Sequence, residues 1–436
     1  MKKIIVAGCG IGGLVAAINL AAKGFDITVY ESRDRKDLGH DWCDTVYKPS
    51  FGESGRELPS EDNFTPYRVM CCRGPSKRVK IVAKRGDDVF RDVAYIDRKV
   101  LIQHLITCAE KAGVEFIFGA KVIAPVTENS FVIGLKILKD GNEITVKADL
   151  VIDAAGMDSP VRKNLPISFG IQNEIDRKDA LYTYRVYFDK TSDELTDPRY
   201  NAYFFHCSRR SIEWVITEDK HIDILISGFG SLTRKEIEES LKDFRKDYPY
   251  IGNKILRGGT TAKIPLRKSL PMFIANGYAA VGDSAIMIEP LSGSGIRMSF
   301  YGGKILADTV FEAKCERFSV DKLWKYQYRY FKENGEALAK VDIIKNILAD
   351  INADDMDYLF ENGILGAKEF ADAGETKYSA EELLSKAKAI IKRPALLKPL
   401  SKAGLSIVNL KKSSKLMPEE YDKAKVTRWV EQYKKI

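Results

Sequence analysis

The stretch that decides the fold is KIIVAGCGIGGLVAAINLAAKGFDITVYE, residues 3–31. Its hydrophobic pattern predicts a strand, a helix and a second strand, over residues 3–7, 12–23 and 26–31. Gly8, Gly10 and Gly13 form a G-x-G-x-x-G pattern between the first strand and the helix. Glu31 ends the second strand, eighteen residues after Gly13. This order of elements is typical of the start of a Rossmann-type unit that binds a dinucleotide.

Each residue type in this pattern has a physical task. The first glycine allows a tight turn, the second lets the backbone approach a pyrophosphate, and the third lets the helix pack closely on the strand. The N-terminus of the helix supplies amide groups and the positive end of its dipole to the anion. The carboxylate of Glu31 can accept hydrogen bonds from ribose hydroxyls.

A second glycine-rich turn favours FAD over a nicotinamide cofactor. Asp283 follows the short apolar strand 279–281, and residues 290–296 read PLSGSGI. An aspartate at this point can bind a ribityl hydroxyl, and the turn can present amides to the pyrimidine end of an isoalloxazine. The alternative is that Asp283 is an ordinary turn residue.

With these motifs, the chain resembles the FAD-dependent oxidoreductases with the para-hydroxybenzoate hydroxylase fold, and among them the geranylgeranyl reductases. The shared features, which span most of the chain, are Gly8, Gly10 and Gly13 with Glu31, Cys43, Arg98 at a helix start, Ala155-Gly156-x-x-Ser159-x-x-Arg162, and Gly282-Asp283 with residues 290–296. Cys43 and the region of Trp214 point to the reductase branch. Where that branch has Tyr-x-Trp-x-Phe-Pro, this chain has Ile-x-Trp-x-Ile-Thr, and Asp44 stands where a glycine is usual.

The resemblance implies a set of residues that line FAD: Gly8, Gly10, Gly13, Glu31, Cys43, Arg98, Val122, Asp283, Gly295 and Ile296. It also implies that Trp214 contacts the substrate. Simpler roles remain open for three of them: a surface salt bridge for Arg98, a small buried side chain for Cys43 and a core position for Trp214. Val122 would contact the adenine side through its backbone alone.

The predicted fold class is α/β, with a Rossmann-type FAD-binding domain interleaved with an antiparallel-sheet substrate domain and followed by a helical C-terminal region. The FAD-binding domain is assigned to residues 1–60, 95–165 and 270–314, the substrate domain to 61–94 and 166–269, and the helical region to 315–436. Within these, a helix is predicted over 95–112 and an antiparallel meander of strands over 114–118, 131–139 and 143–147.

The resemblance implies an FAD-dependent reductase that saturates carbon–carbon double bonds of an isoprenoid or similar hydrophobic substrate. Hydride would come from reduced flavin, and an acid or water would supply the proton; no catalytic side chain is singled out. Since the chain has one dinucleotide fingerprint, electrons would come from NAD(P)H bound without its own Rossmann unit or from a ferredoxin-like donor. The alternatives are an FAD monooxygenase acting on an aromatic or polyketide substrate, and a flavin-binding protein without catalytic activity.

The composition of the chain excludes several classes of protein. The chain has 436 residues, of which 45% are hydrophobic and 30% charged, and this composition excludes disordered and collagen-like classes. Seven cysteines without a C-x-x-C pair predict no disulfide framework and no metal site, and His206 and His221 have no ligand partner at useful spacing. A cytoplasmic protein is expected.

The charge of the chain is concentrated in one segment. Residues 386–415 hold nine basic side chains and no acidic one, against a net charge of +8 for the whole chain. Apolar residues are interleaved with these cations, so the segment is predicted either to form a solvated basic face or to contact an anionic membrane surface. No nucleic-acid-binding motif accompanies the basic residues, so no nucleic-acid partner is expected.

Overall fold

The structure is a computed structural model that describes residues 1–68, 70–78, 80–82, 92–366 and 379–436. The predicted domain segments 61–94 and 315–436 therefore extend in part outside the described residues.

The strands are numbered in chain order. They are β1 Lys3–Ala7, β2 Asp26–Tyr30, β3 Cys43–Tyr47, β4 Phe64–Pro66, β5 Met70–Arg73, β6 Lys80–Val82, β7 Val93–Asp97, β8 Glu115–Ile117, β9 Lys121–Glu128, β10 Phe131–Lys139, β11 Asn142–Lys147, β12 Leu150–Asp153, β13 Ala180–Lys190, β14 Tyr200–Phe204, β15 Ile212–Thr217, β16 His221–Phe229, β17 Ile251–Pro265, β18 Ile274–Ala275 and β19 Tyr278–Ala280.

The α-helices follow the same convention. They are α1 Ile11–Ala21, α2 Pro49–Glu53, α3 Arg98–Lys111, α4 Pro160–Lys163, α5 Arg234–Asp247, α6 Ile296–Ala313, α7 Val320–Tyr330, α8 Glu336–Asp350, α9 Ala353–Glu361, α10 Ala380–Ile391, α11 Pro394–Leu416 and α12 Lys423–Lys434. A π-helical turn, Phe331–Gly335, joins α7 to α8.

A six-stranded sheet in the order β18-β19-β12-β1-β2-β8 forms the centre of the first unit. Strand β1 pairs in parallel with β12 on one side and with β2 on the other. The strand β19 joins in parallel beside β12, so a strand from late in the chain completes the sheet begun by the first thirty residues. This arrangement confirms the predicted interleaved α/β fold.

Helix α1 is almost wholly buried because it lies between this sheet and α6. Its residues from Ile11 to Leu20 are all buried. A Cβ atom added to Gly303 of α6 would lie 2.4 Å from the carbonyl oxygen of Gly12, so glycines allow the two helices to approach closely. The crossing holds the start of α1 against the start of α6.

A three-stranded antiparallel sheet, β11-β10-β9, lies beside the parallel sheet. The predicted meander is wrong at residues 114–118, because β8 pairs in parallel with β2 instead. The third strand of the meander is β9, which the sequence analysis did not identify. Pro125 interrupts the alternating pattern of β9, although the strand still pairs with β10.

The predicted helix over 95–112 begins three residues later than expected. Residues 93–97 form β7, which pairs with both β3 and β4. Asp97 then caps α3, since its carboxylate accepts a hydrogen bond from the amide of Lys99 at 2.8 Å. The three-stranded sheet β3-β7-β4 crosses the predicted boundary at residue 60, and the domain boundaries stay a prediction.

The second unit is a seven-stranded sheet in the order β17-β13-β16-β15-β14-β5-β6. All neighbours in it are antiparallel except β14 and β5. Helix α5 covers part of one face, where Phe244 packs with residues of β13, β14, β15 and β16. Aromatic and β-branched residues dominate this sheet, as its period-two pattern predicts.

The C-terminal residues are helical, as predicted. Trp324 of α7 contacts Trp429 of α12 edge-to-face, with ring centroids 6.1 Å apart. Phe331 contacts both Trp429 and Tyr433, so the last helix is fixed to the core by aromatic packing. Within the described residues, no helix is both long enough and apolar enough to span a membrane.

Candidate active site

The first glycine turn is shaped by contact with Ala154, which follows β12. A Cβ atom at Gly10 would lie 2.6 Å from the carbonyl oxygen of Ala154, and one at Gly13 would lie 2.4 Å from the Ala154 Cβ. Gly8 has φ of +87°, a backbone conformation that favours glycine. The turn can therefore adopt this shape only with glycine at these positions.

The N-terminus of α1 is left open by this turn. Gly10 is its N-cap and provides no side-chain cap, and no acidic residue lies in the first turn. The amide groups and the positive end of the helix dipole are thus available to an anion. This is the donor set that a pyrophosphate requires.

Glu31 lies at the end of β2, where the sequence places it, and is buried. Its carboxylate accepts hydrogen bonds from the amide of Cys9 at 2.9 Å and from the amide of Arg33 at 3.0 Å. These bonds hold the acid beside the first glycine turn. Burial, with the charge of Glu31 as a second cause, raises the pKa of the neighbouring Cys9 thiol far above its ordinary value.

The second glycine turn lies directly beside the first. A Cβ atom at Gly12 would lie 2.7 Å from Cγ2 of Val281 and 3.4 Å from the amide nitrogen of Gly282. A Cβ atom at Gly295 would lie 3.3 Å from a carboxylate oxygen of Asp283. Although more than 260 residues separate them in the sequence, the two turns therefore meet at one edge of the parallel sheet, where a single ligand could contact both.

Arg98 lies close enough to Asp283 for its charge to act on the carboxyl group. Burial raises the pKa of Asp283, and the charge of Arg98 opposes this shift. The Nε of Arg98 donates to the carboxylate of Asp44 at 2.5 Å, so Arg98 does form a salt bridge, with a residue far from it in sequence. This bond employs Nε, and no hydrogen bond from either Nη atom to another described residue is found.

Cys43, Val122 and Ile296, which are also predicted to line FAD, lie on three different elements. Cys43 begins β3, and its amide donates to the hydroxyl of Tyr187 at 2.9 Å. Burial raises the pKa of its thiol. Val122 is a buried residue of β9, two residues after Ala120, whose amide donates to the carbonyl of Glu31. Ile296 is the buried first residue of α6.

A buried polar network fixes the second turn, and sequence reasoning assigned it no role. Asp153 is fully buried, and its carboxylate accepts hydrogen bonds from Ser159 at 2.6 Å, Tyr278 at 2.9 Å and Ser284 at 3.0 Å. Arg162, also fully buried, donates to the carbonyl of Ser284 at 2.8 Å. The motif Ala155-Gly156-x-x-Ser159-x-x-Arg162 was its signal in the sequence.

A cavity of about 700 Å³ adjoins the second glycine turn. It lies between the seven-stranded sheet, β3, the loop after β19 and helix α8, and its walls are mainly apolar and aromatic. Its lining includes Thr45, Val46, Tyr47, Met70, Leu181, Tyr200, Phe204, Phe205, Trp214, Leu225, Phe229, Leu291, Ser292, Ser294, Arg297, Met298, Leu338 and Leu348. Of these, sequence reasoning named Trp214 alone as a substrate contact, and it assigned the turn at residues 290–296 to the flavin. The other residues come from segments that are far apart in the chain.

Trp214 is held between the cavity and a buried ion pair. Its ring lies 5.3 Å from the guanidinium of Arg185 and meets Tyr200 edge-to-face. Arg185 in turn forms a bidentate salt bridge with Asp223, at 2.6 and 3.0 Å. The indole N–H has no acceptor among the described residues and is therefore available to a polar atom of a ligand.

Comparisons with known proteins agree with this geometry. Residues 6–42 match a family described as an NAD(P)-binding Rossmann-like domain. A digeranylgeranylglycerophospholipid reductase of Sulfolobus acidocaldarius is 24% identical over 421 residues, which are 94% of this chain and 91% of the relative. A crystal structure of a geranylgeranyl bacteriochlorophyll reductase-like protein from Thermoplasma acidophilum superposes with a TM-score of 0.74, at 21% identity, over 92% of this chain and 99% of that one. The chain is therefore similar to geranylgeranyl reductases in both sequence and fold.

Other flavoenzymes share this fold. A flavin-dependent brominase superposes with a TM-score of 0.63 at 15% identity, covering 92% of this chain and 99% of its own. The similarity across these enzymes supports FAD as the cofactor and an oxidoreductase activity. The two glycine turns, the open helix N-terminus and the placement of Glu31 and Asp283 fit FAD.

Proposed function

We propose that the protein is an FAD-dependent reductase that saturates carbon–carbon double bonds of an isoprenoid lipid. The observation that carries this proposal is the apolar cavity that adjoins the second glycine turn. A cavity with these walls matches a long hydrocarbon chain better than a small polar substrate. The name of the Sulfolobus relative points to the same class, an isoprenoid phospholipid.

Ten residues would hold FAD. The pyrophosphate would bind at the first glycine turn (Gly8, Gly10 and Gly13) and at the N-terminus of α1. The Nη atoms of Arg98, whose Nε is paired with Asp44, would also contact it. Glu31 accepts from the ribose. At the other end, Asp283 accepts from the ribityl chain, and Gly295 and Ile296 contact the pyrimidine ring. Cys43 and Val122 complete the lining.

Reduced FAD, when bound, supplies a hydride. The contribution of the chain is to orient the alkene and to keep bulk water and oxygen from the site. Trp214 and Tyr200 form a rigid aromatic wall on the sheet side, since their rings are in contact with each other and Trp214 rests on Arg185. Val46 and Tyr47 line the cavity and belong to β3, the strand that begins with the predicted FAD contact Cys43.

The proposal also includes the source of the electrons that reduce FAD. One dinucleotide fingerprint is present in the sequence, and FAD is expected to use it, so the donor would be NAD(P)H bound transiently or a ferredoxin-like protein. Anaerobic mixing of the oxidised protein with NADH, NADPH or reduced ferredoxin, followed by flavin absorbance, distinguishes these donors. Bleaching by one donor at a rate that supports turnover identifies it.

The basic segment 386–415 is proposed to contact an anionic membrane surface. It includes half of α10 and nearly all of α11, on which Ile391 is 67% exposed and Leu405 68% exposed. Exposed apolar side chains beside cations are typical of interfacial helices. The proposal predicts co-sedimentation with vesicles containing phosphatidylserine and reduced binding by a variant with Lys402, Lys411 and Lys412 changed to Gln. Equal binding to neutral vesicles would contradict it.

The reaction is tested by anaerobic incubation of the dithionite-reduced protein with a geranylgeranyl phospholipid, followed by mass spectrometry of the lipid. Successive gains of two hydrogens are expected. The alternative monooxygenase reaction would instead consume oxygen and give an oxygenated product. Absence of any saturated product with a fully reduced flavin would refute the proposed reaction.

A further inference from the structure

One side of the apolar cavity is formed by a polar turn that the proposed reaction does not use. The turn joins β14 to β15, and its residues Phe205, Arg210 and Ser211 line the cavity. Arg210 is exposed, so the cavity is open to solvent beside it. The turn therefore places a cation at an opening of a mainly apolar cavity.

Arg209 and Arg210 follow each other in this turn but have different surroundings. Arg209 pairs with the fully buried carboxylate of Glu213 and donates to the hydroxyl of Ser240 on α5. Arg210 lines the cavity instead, and it forms no ion pair or hydrogen bond with another residue that the structure describes. Its guanidinium is therefore available to an anion in the cavity.

Two other charged residues of the cavity wall already have ionic partners. Lys345 is buried and pairs with Asp342 at 2.8 Å. Glu333 pairs with Arg329 at 3.1 Å. Neither residue has its charge available to a ligand in the way that Arg210 has.

The remaining charged residues of the wall lie toward β3 and the second glycine turn. Glu289 accepts hydrogen bonds from two backbone amides of that turn. The guanidinium of Arg297 lies 4.6 Å from the ring centroid of Tyr47 in β3. Asp92, which has the opposite charge, is bonded through its carbonyl to the amide of Lys48, just after β3. Arg210 is thus the cation on the side of the cavity away from the proposed flavin site.

The width of the sheet separates Arg210 from the second glycine turn. Arg210 lies two residues before β15, whereas a Cβ atom at Gly293 would lie 3.5 Å from Ile264 of β17. In the order β17-β13-β16-β15 these strands are three spacings apart, which is about 14 Å. Each strand contributes one apolar side chain to the wall between them: Ile212, Phe229, Leu181 and Ile264. An amphiphile with an anionic end matches this distribution of polar and apolar groups.

Ser211 adds a second donor beside Arg210. It is 2% exposed, and its hydroxyl has no hydrogen-bond partner among the described residues. Its backbone is fixed, because its carbonyl accepts a hydrogen bond from the amide of Phe205 at 3.1 Å. Buried hydroxyl groups usually have a partner, and an oxygen atom of a ligand in the cavity would provide one.

From this arrangement we propose that Arg210 and Ser211 bind a phosphate group of the isoprenoid substrate, whose hydrocarbon chain extends across the sheet toward the second glycine turn. The inference rests on the proposed function. A guanidinium can bind a phosphate through two parallel N–H groups. The hydroxyl of Ser211 can donate to a third phosphate oxygen.

The turn is held in place before any ligand binds. His206 lies between the carboxylates of Glu213, at 2.8 Å, and Asp243, at 2.9 Å. Its ring also stacks on Phe244 of α5, with centroids 4.2 Å apart. Since these contacts fix the backbone that carries Arg210, binding of a phosphate does not have to order the turn.

The opening at Arg210 lies beside the basic C-terminal segment 386–415. Phe205 belongs to an apolar cluster that also contains Met356 of α9 and Leu396 of α11. Leu396 is part of the basic segment. A phosphate held at Arg210 would therefore remain close to the helices that are proposed to contact the membrane.

The test compares farnesyl phosphate with farnesol, which has the same chain without the anion. Binding to the oxidised, FAD-loaded protein is measured by isothermal titration calorimetry, so no turnover is needed. The native protein should bind the phosphate at least about tenfold more tightly than the alcohol. Inorganic phosphate should compete only at much higher concentration, because it lacks the chain that fills the cavity.

Arg210→Gln should abolish the preference for the phosphate and leave the affinity for farnesol unchanged, which also shows that the variant is folded. Arg210→Lys should restore part of the preference, since an ammonium group carries the charge but lacks the planar pair of donors. Arg234→Gln is the matched control, because Arg234 is an exposed arginine of α5 that does not line the cavity.

Two results would overturn the inference. One is equal affinity of the native protein for farnesyl phosphate and farnesol, and the other is a preference for the phosphate that persists in Arg210→Gln. Either result would leave the proposed reductase reaction intact. Failure of both ligands to bind would instead refute the cavity as a lipid site, and this inference with it.

Discussion

The first glycine turn and the apolar cavity that adjoins the second glycine turn are built in opposite ways. The turn is formed by a short, continuous stretch whose glycines are required by contact with Ala154. The cavity is lined by side chains from many segments, brought together by the seven-stranded sheet and α8. Backbone geometry therefore shapes the predicted cofactor turn in this protein, whereas side chains that can be exchanged one at a time shape the proposed substrate cavity.

The largest effect is expected at Gly10. Gly10→Ala places a Cβ atom 2.6 Å from the Ala154 carbonyl, a backbone atom that cannot easily move. Overpacking of about 2–3 kcal/mol corresponds to a loss of FAD affinity of about 100-fold, measured by titration of the apoprotein. Gly404→Ala is the control, since its added Cβ meets nothing within 4 Å. Retained FAD affinity in Gly10→Ala would show that the turn can rearrange.

The second-largest loss of FAD affinity is expected for Glu31→Ala. It removes the acceptor for the amides of Cys9 and Arg33 as well as the proposed ribose contact. FAD affinity should fall about thirtyfold, because hydrogen bonds to a charged group are worth about 2 kcal/mol. Glu115→Gln, which alters an acceptor on neighbouring β8, should leave affinity unchanged. Similar losses in both variants would point to a general weakening of the sheet.

Asp283→Asn is expected to raise the stability of the apoprotein and to lower its affinity for FAD. Burial raises the pKa of Asp283, so the folded protein disfavours the ionised carboxylate, and the stability associated with the neutral form is lost as pH rises through the folded pKa. The variant should therefore melt at a higher temperature than the native apoprotein at neutral pH but not in acid. It should bind FAD about tenfold more weakly.

Asp308→Asn is expected to change the melting temperature at neutral pH in the opposite direction. Burial opposes ionisation of Asp308, but hydrogen bonds from Lys304 and Lys23 lower its pKa. Its ionised form stabilises the fold above the unfolded pKa, and this contribution is lost as pH falls. The variant should melt at a lower temperature at neutral pH with no change in FAD affinity. Shifts of the same sign in both aspartate variants would contradict this electrostatic account.

The smallest effect is expected in the cavity. Trp214→Ala should raise KM for the lipid about fivefold, as expected for loss of one aromatic contact, and leave FAD affinity unchanged. Trp214→Phe should recover most of this loss. A fall in FAD affinity instead would mean that Trp214 supports the flavin site through Arg185.

The sequence predicts the glycine turn better than it predicts the cavity. The unit β1-α1-β2 is predicted to within two residues because its signals are local: a strand, three glycines and an acid. Strand β8 was misassigned because a short apolar run does not reveal which sheet it joins. The cavity residues depend on contacts between distant strands and helices, which periodicity does not encode.

The most direct test is titration of the apoprotein with FAD and, in parallel, with FMN, which lacks the adenosine half. One FAD per chain should bind. The affinity for FMN should be at least about 100-fold lower, because FMN lacks the groups that the first glycine turn and Glu31 are proposed to bind. Equal affinity for FMN, or no uptake of FAD, would contradict the claim that two distant glycine turns bind one dinucleotide.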